Sequence, residues 1–160
     1  MVGRALKGAR DDVVVAGKVH YPMGEDANTW GNSRRWITRA VEGSLRRLGT
    51  DHFDLYQVRR PDPHTDIDET LGVSAISCAP PRSALWAPRP SPPSRSSRRT
   101  WTSQSRGQVR LRTEQPPYSI LNRAAETAVF PTCARYNMGV MTWSPLGGGW
   151  LTGRFQGRST

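Results

Sequence analysis

Two stretches decide the fold: Val13-Val-Val-Ala-Gly-Lys-Val19 and Phe53-Asp-Leu-Tyr-Gln-Val58. Both are short apolar runs rich in β-branched or aromatic residues, and the first reads as a strand buried on both faces. Between them, residues 20–31 are polar and rich in Gly, Asn and Asp, the composition of a loop. Asn32 or Ser33 then offers an N-cap, after which Trp36, Ile37, Ala40, Val41, Leu45 and Leu48 recur at helical spacing. Arg46 and Arg47 fall in the last turn, where cations suit the helix dipole, and Gly49 supplies the stop. Gly43 costs that helix about 1 kcal/mol relative to Ala, which the rest of the pattern outweighs. The second strand ends at Arg59-Arg-Pro-Asp-Pro63, and a further helix begins over Thr65 to Leu71 with Asp66, Asp68 and Glu69 near its start. Strand, helix, strand, helix at this spacing predicts a parallel sheet with crossover helices.

Outward from there the pattern stops at Gly72. Residues 73–107 hold six prolines, nine serines and six arginines with no hydrophobic period, and Pro80-Pro81 and Pro92-Pro93 exclude a central strand or helix interior. Taken alone, this segment reads as a disordered basic linker. Order returns with the alternation of Val109, Leu111 and Thr113, a strand closed by Glu114 to Tyr118. Asn122 to Tyr136 predicts a helix, with Pro131 set to kink or divide it. Gly139 to Trp143 reads as another strand, followed by the loop Ser144-Pro-Leu-Gly-Gly-Gly149, whose glycines let a ligand approach the backbone closely. The chain therefore divides into residues 1–72, 73–107 and 108–160.

Charge follows the same division. The 160 residues carry 23 Lys and Arg against 13 Asp and Glu, a net charge of +10. Eight of the arginines lie between Thr70 and Thr113, a window with no acid, and the remainder holds 15 basic and 13 acidic residues. Arginine outnumbers lysine 21 to 2, the bias of a GC-rich coding sequence. A hydrophobic content of 36% and a mean hydropathy of −0.62 argue against a membrane protein, and no apolar run reaches the roughly 20 residues of a spanning helix. Met1 to Gly8 lacks the apolar core of a signal peptide. Cys78 and Cys133 make neither a disulfide scaffold nor a zinc cluster, so no metal is expected. These features predict a cytoplasmic protein.

Several segments resemble the aldo-keto reductases, in particular bacterial members similar to potassium-channel β-subunits. They are Val13 to Val19, Asn32-Ser-Arg-Arg-Trp-Ile37 through Ser44-Leu-Arg-Arg-Leu-Gly-Thr-Asp51, and Asp54-Leu-Tyr-Gln-Val-Arg-Arg-Pro-Asp-Pro63. Glu114-Gln-Pro-Pro-Tyr-Ser119 and Trp143-Ser-Pro-Leu-Gly-Gly-Gly-Trp-Leu-Thr-Gly-Arg154 complete the set, in the family's order and spacing. The resemblance implies an α/β fold of the (β/α)8 TIM-barrel type, with the active site at the C-terminal ends of the strands. It also implies reduction of a small aldehyde or ketone by hydride from NADPH. A full barrel typically takes about 250 residues, so the expectation is a partial barrel, roughly strands three to seven, with a non-native segment in place of strand five.

The family's reaction uses an Asp, a Tyr, a Lys and a His. Lys18 matches the lysine, whose cation lowers the pKa of the proton-donating tyrosine. Without the resemblance it reads as a strand-end lysine reaching solvent. Arg59 stands at the position of the histidine. It can donate to a carbonyl oxygen, but as a permanent cation it repels the lysine and cannot act as a neutral donor. The Asp and Tyr positions are expected upstream of Met1. On the cofactor side, Gln115 resembles the glutamine that binds the nicotinamide carboxamide and Trp143 the aromatic that stacks on the ring. Taken alone, Gln115 reads equally as a polar strand end and Trp143 as core. Ser144, Leu146 and Gly148 fall in the loop that offers backbone N–H groups to the pyrophosphate. The family's Ser/Asn pair after strand five, expected near residues 86–90, is not there.

The scrambled segment admits a reading one base out of frame. Trp86-Ala-Pro-Arg-Pro-Ser-Pro92 can be encoded so that the shifted frame reads Gly-Ser-Ser-Thr-Phe-Pro, the family's strand-five motif. A frameshift near Gly72, with a compensating slip between about Arg99 and Gly107, is therefore expected. Two alternatives remain at this point. One is a nucleic-acid-binding segment in which the arginines of 82–112 contact phosphates, with Trp86 and Trp101 for stacking. The other is a fragment completed by a companion chain.

Overall fold

The computed structural model describes residues 1–76 and 111–154. Its elements run α1 (Val2–Ala5), β1 (Ala16–Val19), α2 (Arg34–Leu48), β2 (Leu55–Val58), α3 (Ile67–Ile76), β3 (Thr113–Glu114), α4 (Ala125–Arg135) and β4 (Gly139–Val140). Short 3-10 turns occupy Arg10–Asp12, Ala27–Thr29 and Gly147–Thr152.

β1 and β2 are parallel neighbours, with Ala16 opposite Leu55, Lys18 opposite Gln57 and Val19 opposite Val58. The crossover between them is α2, and local chemistry sets both of its ends. Ser33 is the N-cap, its hydroxyl accepting the Trp36 N–H at 3.3 Å. Gly49 terminates the helix in the left-handed region at φ 69° and donates its N–H to Leu45 at 2.9 Å. Glu69 of α3 adds a further cap by accepting the Arg34 N–H at 2.8 Å. The buried stripe Trp36, Ile37, Ala40 and Val41 clusters with Val19, Tyr56 and Val58 of the sheet. Burying each larger side chain of this set contributes about 1.5–3 kcal/mol. Leu71, Val73, Leu111, Cys133 and Met138 join the same cluster, so the two described parts share one core.

The first strand is shorter and more open than its sequence predicts. Val13 and Val14 are exposed ahead of it, and within it Ala16 and Lys18 are exposed too. Burial on both faces therefore holds for β2, whose four residues are all buried, but not for β1. Among the described residues β1 has one flanking strand, and α2 covers one of its faces. Nor does the helical pattern end where expected, because α3 runs through Gly72 to Ile76.

β3 and β4 form the second parallel pair, with Thr113 opposite Gly139 and Glu114 opposite Val140. Backbone bonds extend this ladder: Gly139 N–H to Arg112 O at 2.7 Å, Met141 to Glu114 at 3.0 Å, Trp143 to Pro116 at 3.1 Å and Tyr118 to Trp143 at 3.1 Å. α4 is a single helix that passes through Pro131. The described residues thus form two two-stranded parallel sheets rather than a closed barrel. Of residues 73–107, expected in place of strand five, all but 73–76 lie outside them, as do the arginines of 82–112 except Arg112.

Candidate active site

Parallel strands bring their C-terminal ends to one edge, and the predicted site residues sit at two such edges. On the first pair, register places exposed Lys18 beside Gln57 on one face of the sheet. Gln57 is 2% exposed, and its Nε2 has no partner among the described residues. Arg59 follows β2 and carries the ladder one step further, its N–H donating to Val19 at 2.9 Å. Its guanidinium lies over the Tyr21 ring, with Cζ 4.8 Å from the centroid, and the Arg60 guanidinium approaches the same ring at 5.5 Å. The histidine-matching position thus presents a cation seated on an aromatic ring.

A polar hub that sequence reading missed holds this edge. Asn32 is buried; its Nδ2 donates to Arg60 O at 2.8 Å and its Oδ1 lies 3.1 Å from His20 Nδ1. The Thr70 hydroxyl donates to the Asn32 carbonyl at 3.1 Å. Asp62 Oδ2 accepts the Asn32 N–H at 3.0 Å and the Thr65 hydroxyl at 2.9 Å, while Oδ1 accepts the His64 N–H at 2.9 Å. Burial works to raise the Asp62 carboxyl, but these donors outweigh it and hold the group below the usual carboxylate value. Gly31 completes the turn at φ 87°, where a Cβ would stand 2.7 Å from Asp62 Oδ2. His20 itself adopts φ 149°, a conformation non-glycine residues rarely take. The signals in the sequence are the polar residues directly after a strand end and the Pro-Asp-Pro turn; taken alone, Asn32 reads only as a cap.

On the second pair, Gln115 follows β3, and Trp143 bridges Pro117 at the far end of the same ladder. Trp143 is 36% exposed. Ser144 adopts φ 60°, and Gly147, Gly148 and Gly149 follow at 58°, 70° and 102°. The Gly147 and Gly149 amides donate to Ser144 O and Leu146 O, each at 3.0 Å. Those of Leu146 and Gly148 engage no acceptor among the described residues. A Cβ at Gly148 would meet nothing within 4 Å, so its left-handed backbone faces open space. Backbone donors of this kind, next to an exposed indole, suit a diphosphate and a flat aromatic ring. Gln115, Trp143, Ser144, Leu146 and Gly148 thus belong to one ladder end and its following loop, and Lys18 and Arg59 to the other.

Parallel strands joined by crossover helices, with polar and glycine-rich termini at their C-terminal ends, define an α/β protein of the kind that carries its site at strand ends. The chain belongs to the aldo/keto reductase family, whose model matches residues 1–76 and 95–159. An uncharacterized oxidoreductase of Bacillus subtilis, YrpG, is 34% identical over 150 residues, covering 91% of this chain and 46% of the relative. The aldo-keto reductase YhdN of the same organism is 33% identical over 171 residues, with coverages of 96% and 45%. A probable voltage-gated potassium channel subunit beta of rice is 32% identical over 154 residues, with coverages of 95% and 46%. The chain spans a little under half the length of these relatives. The family's fold is a (β/α)8 barrel.

Proposed function

We propose that the protein is an oxidoreductase of the aldo-keto reductase type, acting in NADPH-dependent reduction of an aldehyde or ketone to the alcohol. The observation that carries this reading is the exposed Trp143 beside a left-handed glycine loop with open amides, at the C-terminal end of a parallel ladder. Trp143 would hold the nicotinamide ring and Gln115 its carboxamide. The amides of Ser144, Leu146 and Gly148 would hold the pyrophosphate. When bound, NADPH supplies the hydride that goes to the carbonyl carbon, while the carbonyl oxygen takes a proton. Lys18 lies at the other ladder end, where its charge would lower the pKa of a proton donor placed beside it and stabilise developing negative charge on oxygen.

Arg59 brings a second fixed charge to that end. A neutral imidazole donates one hydrogen bond without changing the local field, whereas Arg59 opposes protonated Lys18. The positions matched here supply the lysine of the catalytic set and neither its aspartate nor its tyrosine. On this reading the 160 residues tested by themselves hold the nucleotide, and reduction also needs the aspartate and tyrosine of the family's set.

The experiment has two readouts. Titration with NADPH, followed by energy transfer from tryptophan to the dihydronicotinamide, is expected to saturate and to weaken in Trp143→Leu. Incubation with a panel of aldehydes is expected to show no NADPH consumption. Absence of saturable binding overturns the assignment to this chemistry. Turnover that disappears in Lys18→Met overturns the claim that the catalytic set is incomplete.

A further inference from the structure

Arg59 and Arg60 are adjacent in sequence and approach one aromatic ring, at 4.8 and 5.5 Å from the Tyr21 centroid. Two neighbouring cations repel, and a shared π face offsets only part of that repulsion. The nearest carboxylate along the chain, Asp62, forms no ion pair with either of them. Both its oxygens are instead turned to the Asn32 N–H, the Thr65 hydroxyl and the His64 N–H. Among the described residues neither guanidinium forms an ion pair with an acid. A guanidinium resting on a ring keeps its N–H edges for other partners, in the fork geometry that fits two oxygens of a carboxylate or phosphate. Lys18 adds a third cation at the same strand ends. Arg60 is exposed and Arg59 half-buried, so the cluster is accessible.

The geometry points to an oxyanion-binding site formed by Arg59 and Arg60 on Tyr21, which selects carbonyl substrates bearing a carboxylate or a phosphate. This inference rests on the reductase reading and names its substrate class. A neutral aldehyde leaves the cluster without a counter-charge. A substrate with an anionic arm neutralises it and is oriented by it, the arm on the arginines and the carbonyl toward Lys18.

The test is anion binding by the full chain without nucleotide. Arginine Nε–H signals are followed by 1H–15N NMR at constant ionic strength set with sodium chloride. Inorganic phosphate is titrated in one arm and acetate in the other, and Arg59→Gln and Arg60→Gln each identify one signal. The expected result is saturable movement of both signals in at least one arm, with affinity about tenfold weaker in either variant. Saturation by phosphate alone assigns a phosphorylated carbonyl substrate, and by acetate alone a carboxylated one. Tyr21→Leu keeps both charges but removes their shared ring, and is expected to weaken binding about threefold. No saturable shift in either arm overturns the inference, as does binding unchanged in both arginine variants. Neither nucleotide nor turnover enters the readout, so failure here leaves the NADPH reading standing, and failure of NADPH binding leaves the anion site standing.

Discussion

Asp62 accepts the backbone N–H of Asn32 at 3.0 Å across thirty residues of sequence, tying the loop after β1 to the turn after β2. The Asn32 side chain returns the connection by donating to Arg60 O and meeting His20. The two strand ends that carry Lys18 and Arg59, already joined by the Arg59 N–H bond to Val19 O, are thus also tied through one buried amide. Asn32→Ala would strand the Arg60 carbonyl and leave His20 at φ 149° without its partner. The expected cost is about 1–3 kcal/mol, read as a lower urea midpoint at unchanged slope. Asn32→Asp keeps the acceptor, loses the donor and buries a charge, and is expected to cost more. Equal stability of wild type and Asn32→Ala would remove the hub from the account.

A second, partly buried link lies at the opposite ends of the same strands. Asp54 Oδ2 accepts the Val15 N–H at 2.8 Å and pairs with Arg10 at 2.8 Å, while Arg10 also donates to Thr50, Val13 and His52. Burial works to raise the Asp54 carboxyl, but the Val15 N–H and the Arg10 guanidinium prevail and hold it below the usual carboxylate value. A carboxyl depressed in the folded state contributes stability above its unfolded pKa of about 3.9 and loses it as pH falls through the folded value. Asp54 and Asp62 therefore both add to an acid limb that starts below about pH 5. The stability deficit of Asp54→Asn is expected to be largest at pH 6–7 and to narrow toward pH 2 in thermal melts. A deficit that is constant across this range would show that the ionised form carries no special stabilisation.

Pro131 lies within α4 without dividing it. Its ring removes one intrahelical hydrogen bond and crowds the preceding turn. The position is exposed, so replacement by alanine restores the bond without disturbing the core. Pro131→Ala is expected to stabilise the chain by about 1–3 kcal/mol, seen as a raised Tm. A lowered Tm would mean that the proline fixes a geometry the neighbouring contacts require.

Elements specified by local chemistry were legible in the sequence. α2 is capped by Ser33 and Gly49 and buries Trp36, Ile37, Ala40 and Val41 of the predicted stripe, with Leu45 and Leu48 half-buried, because cap, period and stop all act within one turn of each boundary. Burial of β1 was not legible, since exposure of Ala16 and Lys18 depends on which strands flank it. The Asn32–Asp62 hub was invisible for the same reason, its partners being thirty residues apart. Lys18, Gln115 and Trp143 are proposed from family order, while the Tyr21 platform under Arg59 appears only in three dimensions. The family match breaks between residues 76 and 95, inside the segment read as out of frame, and resumes ahead of the slip expected between about Arg99 and Gly107. Codons 86–92 are accordingly expected to spell Gly-Ser-Ser-Thr-Phe-Pro one base over. Codons that spell anything else there exclude the frameshift.

Two glycines separate backbone strain from ligand contact. Gly148 has φ 70° and Gly49 φ 69°, and a Cβ on either would meet nothing within 4 Å. Alanine at either position therefore carries the same left-handed penalty, about 1–2 kcal/mol, without a clash. The positions differ in place: Gly49 ends α2, while Gly148 lies in the loop whose open amides are assigned to the pyrophosphate. Similar losses of stability are expected for Gly148→Ala and Gly49→Ala in urea unfolding. NADPH affinity is expected to fall about tenfold or more in Gly148→Ala, because the added methyl stands where the phosphate must approach the backbone. In Gly49→Ala it should stay within about twofold of wild type, since a remote, folded-state strain alters affinity only by changing the folded fraction. Equal weakening in both variants would trace the effect to stability and take the loop out of the binding site.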